Sequence, residues 1–321
     1  MISKRIHWFY WVILSLAMFI LACGSNSDPS LGLTSSKKNI PGIPHKGALL
    51  STRFHSFEEF KKVVNVEYFD TTSQEDDHST YVRLTHAINE KTVTSILGYG
   101  VDEADFLKAK DGGFWDKAAV GIRSPFAVAN KDNLIKVEIL ARRRYVMFGE
   151  GDIAFYDLAE SLVKNMSKED VAQMSEKDLS EKGYLNTFNH ITAQAFMTSL
   201  FSEELADFIA DVHERNTLPA LRTGKFTPEQ LSDIENGAVD NYVDMVNNEW
   251  GQELGKELRQ KYKITEETTW TPELLADYLN DMQRYYSWAL EIGFKPFRPE
   301  DDVLVRFAGK LNAVMRGEVG Y

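Results

Sequence analysis

From Asp152 onward apolar residues recur at three- and four-residue intervals, each stretch preceded by residues that start helices. The clearest begins at Thr271-Pro272-Glu273, where Leu275, Tyr278, Leu279, Met282, Tyr286 and Ala289 form a wide apolar stripe. A second, over 202–215, carries Leu205, Phe208, Ile209 and Val212 on one face. Ser167 with Asp170 and Ser175 with Asp178 have capping-box spacing, and Thr227-Pro228-Glu229-Gln230 adds proline at the first helical position. The spacing predicts helix after helix over 151–321, with the aromatic stripe as core. An apolar cavity beside Tyr278, Met282 and Tyr286 would instead mark lipid handling.

The pattern is less regular over 47–150. Phe57, Phe60, Val63 and Val64 predict a short amphipathic helix over 56–66, followed by a polar loop over 70–78. Over 134–140, Ile135, Val137 and Ile139 alternate with Lys136 and Glu138 as in a strand, whereas Ala141-Arg142-Arg143-Arg144 suits a continuing helix. Both readings stay open. The arginine run reads as a solvated charge run beside Tyr145 and Phe148 rather than an anion clamp. The expected class is therefore mainly α: a helical bundle-like domain over 151–321 with a less regular α or α+β part over 47–150.

The first residues follow another rule. Lys4 and Arg5 precede an apolar run from Trp8 to Leu21, then Ala22-Cys23-Gly24, with no acidic residue before Asp28. That run falls short of the roughly 20 residues a membrane span needs and fits an export signal. Ile20-Leu21-Ala22-Cys23 resembles the bacterial lipobox, and Cys23 is the one cysteine in the chain, which leaves no intramolecular disulfide. The resemblance implies a lipoprotein signal peptide over 1–22, a lipid on Cys23 and a flexible tether over 23–46, rich in Ser, Gly, Asn and Pro. The expected partner of the N-terminus is a membrane, reached through that lipid, in the cell envelope. Gly24 resembles the pattern that sends lipoproteins to the outer membrane, facing the periplasm, where the host has two membranes.

Losing Lys4 and Arg5 with the leader takes the net charge from −12 to −14, which argues against nucleic acid as a partner. With 43% apolar and 12% aromatic residues, the remainder has ample material for a large core. No phosphate loop and no Gly-x-Ser-x-Gly elbow occurs, so the chemistry must come from elsewhere.

It concentrates between Asn189 and Gly251. On a helix, at about 100° per residue, Asp240, Asp244, Asn247, Asn248 and Gly251 share one arc, bordered by Val239, Val243, Val246 and Trp250. Turned inward, this arc would meet His190 and His213, with Gly251 admitting a second backbone. Such a set suits a divalent cation held by His213, Asp240 and Asp244, or a water held between an acid and a base. The alternative is that Asp240, Asp244 and Asn248 face water while the histidines are hydrogen-bonded near the core.

The order Asn189-His190, Ala195, His213-Glu214, then Asp244-x-x-Asn247-Asn248-x-x-Gly251 resembles a bacterial domain family of unknown function. That family has Arg-His, then His-Glu at a helix end, then Asp-Leu-His-Asn-Asn-x-x-Gly. The resemblance implies a shared site at His190, His213, Glu214, Asp244, Asn247, Asn248 and Gly251. Two positions depart from it, Asn189 in place of Arg and Val246 in place of His. The first functional expectation is a hydrolase-like envelope protein, with His213 or Glu214 as general acid or base, and Asp244, Asn247 and Asn248 orienting water, metal or substrate. The second is a non-enzymatic lipoprotein that binds a protein or small ligand, the same residues fixing helix packing.

Overall fold

The computed structural model describes residues 47–70 and 80–319. The leader, Cys23, the tether and most of the polar loop at 70–78 lie outside the described residues.

Ser56 caps a single helical turn, α1 (Phe57–Phe60), by accepting from Glu59 N at 3.1 Å. The helix expected over 56–66 stops there. Phe57 and Phe60 lie against Tyr242, and the chain turns at Lys61–Val64 to enter a strand. That strand, β1 (Asn65–Asp70), pairs antiparallel with β2 (Thr80–Ile88), which pairs antiparallel with β3 (Lys91–Leu97). The two-residue turn Asn89-Glu90 closes the second hairpin, with Asn89 at φ +55°, where asparagine is tolerated.

Short helices α2 (Glu103–Asp111), α3 (Phe114–Arg123), α4 (Pro125–Ala129), α5 (Lys131–Ala141) and α6 (Tyr145–Phe148) follow. The ambiguous stretch at 134–140 is helix α5. Leu134, Ile135, Val137, Glu138, Ile139 and Leu140 are all buried, so the helix is covered on most sides and shows no single apolar stripe. The arginines after it are not a solvated run. Arg143 forks onto Asp157, Arg144 pairs with Glu138, and Arg142 lies 3.5 Å from Glu138 with its side chain only 15% exposed. Nearby, the buried Lys310 reaches Asp152 at 2.8 Å.

The second part is helical throughout: α7 (Phe155–Lys164), α8 (Lys168–Val171), α9 (Asn186–Leu200), α10 (Glu203–Thr217), α11 (Pro228–Ser232), α12 (Ala238–Tyr262), α13 (Pro272–Leu290) and α14 (Asp302–Met315). Ser167, Thr227 and Thr271 cap their helices as the spacing predicts and Ser202 caps another, whereas Ser175 and Asp178 bond to each other around a turn. The fold is thus mainly α with a less regular N-terminal part.

Two hydrophobic cores hold it together, and both draw residues from either side of residue 150. The larger lies among α7, α9, α10, α13 and α14. Here Tyr278, Met282 and Tyr286 are fully buried, with the rings of Phe188 and Phe196 tilted against Tyr286 and Tyr278 at 4.3 and 4.7 Å. The aromatic stripe is therefore core. The smaller core lies between the sheet and α12, where Val82, Leu84, Val93 and Leu97 meet Val239, Tyr242, Val243, Val246 and Trp250. Trp250 Nε1 donates to His86 Nδ1 at 2.9 Å. Among the described residues no helix is long and apolar enough to cross a membrane.

Candidate functional site

Helix α12 has a partner on each side. Its apolar arc faces the sheet, so its polar arc must face α9 and the N-terminal segment. Close approach to α9 is made possible by Gly251 and Gly255, since a Cβ at Gly251 would sit 2.8 Å from Ile191 O and one at Gly255 would sit 2.6 Å from Ala195 O. At this short separation the side chains flanking the crossing can bond directly.

His190 of α9 is gripped by α12 at both ring nitrogens. Nδ1 lies 2.9 Å from Asn248 Oδ1, and Nε2 lies 3.4 Å from Asp244 Oδ2. The other oxygen of Asp244 accepts from Asn186 Nδ2 at 2.8 Å. Asp240, one turn earlier, accepts from Lys182 Nζ at 2.8 Å. Asn247 bonds the backbone of Leu49 twice, accepting from its N–H and donating to its carbonyl, both at 2.9 Å. The expectation that Asp240, Asp244 and Asn248 face water is overturned, because all three are buried. Their carboxylates and amides close the crossing between α12, α9 and the chain before α1.

His213, in the last turns of α10, takes a different partner. Its Nδ1 lies 3.1 Å from Oε1 of Glu103, the first residue of α2, which is itself 1% exposed. Asn216 Nδ2 donates to the other oxygen of Glu103 at 3.4 Å. Among the described residues no hydrogen bond reaches His213 Nε2. The two imidazoles lie 6.5 Å apart and line one cavity of about 80 Å³. Asn248, Gln194, Asn189 and Tyr156 add polar groups to the lining, and Phe155, Met197 and Ile209 supply apolar wall. No carboxylate is part of that lining.

Glu214, next in sequence, does not line this cavity. It is 2% exposed, and its Oε1 has no hydrogen-bond partner. Burial pushes its carboxyl up to about 8, against the pull of His213 and with the help of Asp244 and Asp240. Burial likewise lifts Asp244 to about 6, with His190 holding it down, and raises Asp240 against the pull of Lys182. For His213 burial alone would lower the value. The hydrogen bond to Glu103 and the charges of Glu214, Glu103 and Asp244 outweigh it, raising the imidazole to about 9. The surroundings thus favour the charged form of His213 and the neutral form of Glu214.

The metal expectation finds no geometry to support it. Asp240 is taken by Lys182, Asp244 by Asn186 and His190, and His213 by Glu103. Among the described residues no three His, Cys, Asp or Glu side chains form a group able to hold a metal ion.

Of the expected residues, the structure brings His190, Asp244 and Asn248 together directly, and joins His213 to His190 and Asn248 across the cavity. Asn247 and Glu214 lie apart from it. The two departures from the family pattern also separate. Asn189 lines the cavity, whereas Val246 is buried in the smaller core beneath the sheet. Sequence reasoning missed Glu103, Asn186 and Lys182. Glu103 lies inside the capping box of Asp102 and Asp105, which marks a helix start, but nothing local signals a contact 110 residues away.

No protein-family model, no curated protein and no solved structure matches this chain.

Proposed function

We propose that the protein is a lipid-anchored cell-envelope protein whose helical domain carries out hydrolase-like acid–base chemistry at His213. One observation carries the chemical part: a histidine with Nδ1 held by a buried carboxylate, an unengaged Nε2, and a place in the wall of a small cavity. Glu103 fixes the tautomer and orientation of the ring and supports its positive form. His213 would give its Nε2 proton to a leaving group and recover one from the attacking water. His190, held by Asn248 and Asp244, and the amides of Asn189 and Gln194 would orient the substrate. Asn247 and Asp240 belong to the packing of α12. The anchoring part rests on the leader pattern and the single cysteine, Cys23.

A second reading, ligand binding without turnover, is favoured by the fact that both ring nitrogens of His190 are engaged by α12. One experiment separates the two. Full-length protein in phospholipid nanodiscs is incubated with isolated sacculi and with chromogenic esters, amides, glycosides and phosphoesters. The enzymatic reading expects turnover of one class, lowered by about 100-fold or more in His213→Gln, with a rate that declines as pH rises through about 9 as His213 loses its proton. Turnover of none, or turnover that His213→Gln leaves unchanged, would falsify it.

A further inference from the structure

A larger cleft, of about 670 Å³, opens between the tip of the β2–β3 hairpin, the C-terminal half of α12 and the C-terminal half of α13. It shares no lining residue with the histidine cavity. Its volume falls within the ~300–1,000 Å³ of small-molecule sites. The floor is apolar, built from Leu254, Leu258, Tyr285 and Trp288. Trp288 stands out on α13, since it is 44% exposed whereas Tyr278 and Tyr286 are wholly buried. Its indole offers an aromatic surface to whatever enters.

The rim is charged, and apart from Glu90 at the hairpin tip its charges are already matched among the described residues. Lys91 of the hairpin pairs with Glu257 of α12. Asp281 takes both Lys261 and Arg284, the latter at 2.6 Å, and Glu253 pairs with Lys256 at 2.6 Å. A strongly charged ligand of either sign would meet like charges at this rim and gain little from partners that are already engaged. A purely apolar ligand would cover these groups without giving them hydrogen bonds, which is costly. The ligand that suits both surfaces is neutral, with an apolar face for the indole and an edge of groups that both donate and accept. A sugar ring has that form: its C–H face stacks on an aromatic ring, while its hydroxyls donate to carboxylates and accept from ammonium and guanidinium groups.

We infer that this cleft binds a neutral oligosaccharide, stacked on Trp288 and hydrogen-bonded by the rim that includes Glu257 and Arg284. The site is independent of the chemistry proposed at His213. Calorimetric titration of the full chain, held in phosphatidylcholine nanodiscs, with triacetylchitotriose and with maltotriose tests it. Saturable binding of at least one trisaccharide is expected, weakened by about tenfold or more in Trp288→Ala. Arg284→Ala should weaken it as well, and His213→Gln should leave it unchanged. Arg284 has a 73% exposed side chain, so that variant retains its fold and decides the matter if Trp288→Ala does not. Failure of both trisaccharides to saturate at millimolar concentration overturns the inference. So does binding that both cleft variants leave intact, or binding that only His213→Gln abolishes.

Discussion

Glu214 is a carboxyl group in a place that does not suit its charge. Its ordinary value is 4.5, and in the fold it is lifted to about 8 by burial and by the neighbouring acids. A group bound more tightly to its proton in the folded state contributes stability below its unfolded value and loses that contribution as pH rises through the folded one. For Glu214 the window runs from about 4.5 to about 8. His213 has the same sign over a later window, from 6.5 to about 9, because Glu103 holds its imidazolium. Stability should therefore decline from mildly acidic to alkaline pH. Glu214→Gln keeps the shape and removes the titration, so thermal unfolding should show variant and parent close together near pH 5 and the variant several degrees more stable near pH 9. Parallel melting curves across that range would rule out a titrating Glu214. The His213-Glu214 pair is visible in the sequence as two adjacent titratable residues, but which one faces the cavity is not. Successive helical positions differ by about 100°, and only the placement of α2 and α12 around α10 decides that His213 meets Glu103 while Glu214 is enclosed.

At the scale of elements, the site depends on how closely α9 and α12 cross. The polar arc of α12 was legible from its period, as was Gly251 as a point of backbone approach. The boundaries were less so, because short helices and strands are settled by long-range packing. The stretch at 56–66 divides into α1 and β1 since Phe57 and Phe60 are held by Tyr242, more than 180 residues later in the chain. The stretch at 134–140 looks like a strand because a helix covered on most sides leaves no polar face to reveal its period. The crossing itself gives a sharp expectation. In Gly251→Ala the new Cβ would lie 2.7 Å from Gln194 Cβ and 2.8 Å from Ile191 O, and the backbone atom cannot swing aside. Overpacking of this kind costs about 1–3 kcal/mol, partly offset by up to ~1 kcal/mol of helix propensity. Gly309, exposed on α14 with no atom near its Cβ position, supplies the control. Urea unfolding should show Gly309→Ala as neutral or stabilised and Gly251→Ala as destabilised. Equal stabilisation of both would mean that the two helices do not touch at Gly251.

For the whole molecule, mainly α architecture and an acidic surface were readable from composition and period, whereas the pairing of two cores was not, since each core joins segments far apart in the chain. The same scale governs how the protein meets a membrane. Its net charge is −12, and the cytoplasmic or envelope leaflets that carry anionic lipids repel such a chain rather than recruit it. Among the described residues no helix is long and apolar enough to span a bilayer, and in the proposed reading the attachment is the lipid on Cys23. Burial of acyl chains contributes about 0.8 kcal/mol per CH₂, and one chain alone holds a protein only marginally. A diacylated Cys23 would be sufficient where electrostatics works against binding. A retained leader acting as a signal anchor would also hold the protein at the membrane, so fractionation by itself does not separate the two. Metabolic labelling with palmitate does: the full-length protein should take up label, Cys23→Ala should take up none, and the mature N-terminus should be residue 23. An unlabelled parent protein that still sediments with membranes, its leader intact, would replace the lipid by a signal anchor and remove the basis for placing the domain through Cys23.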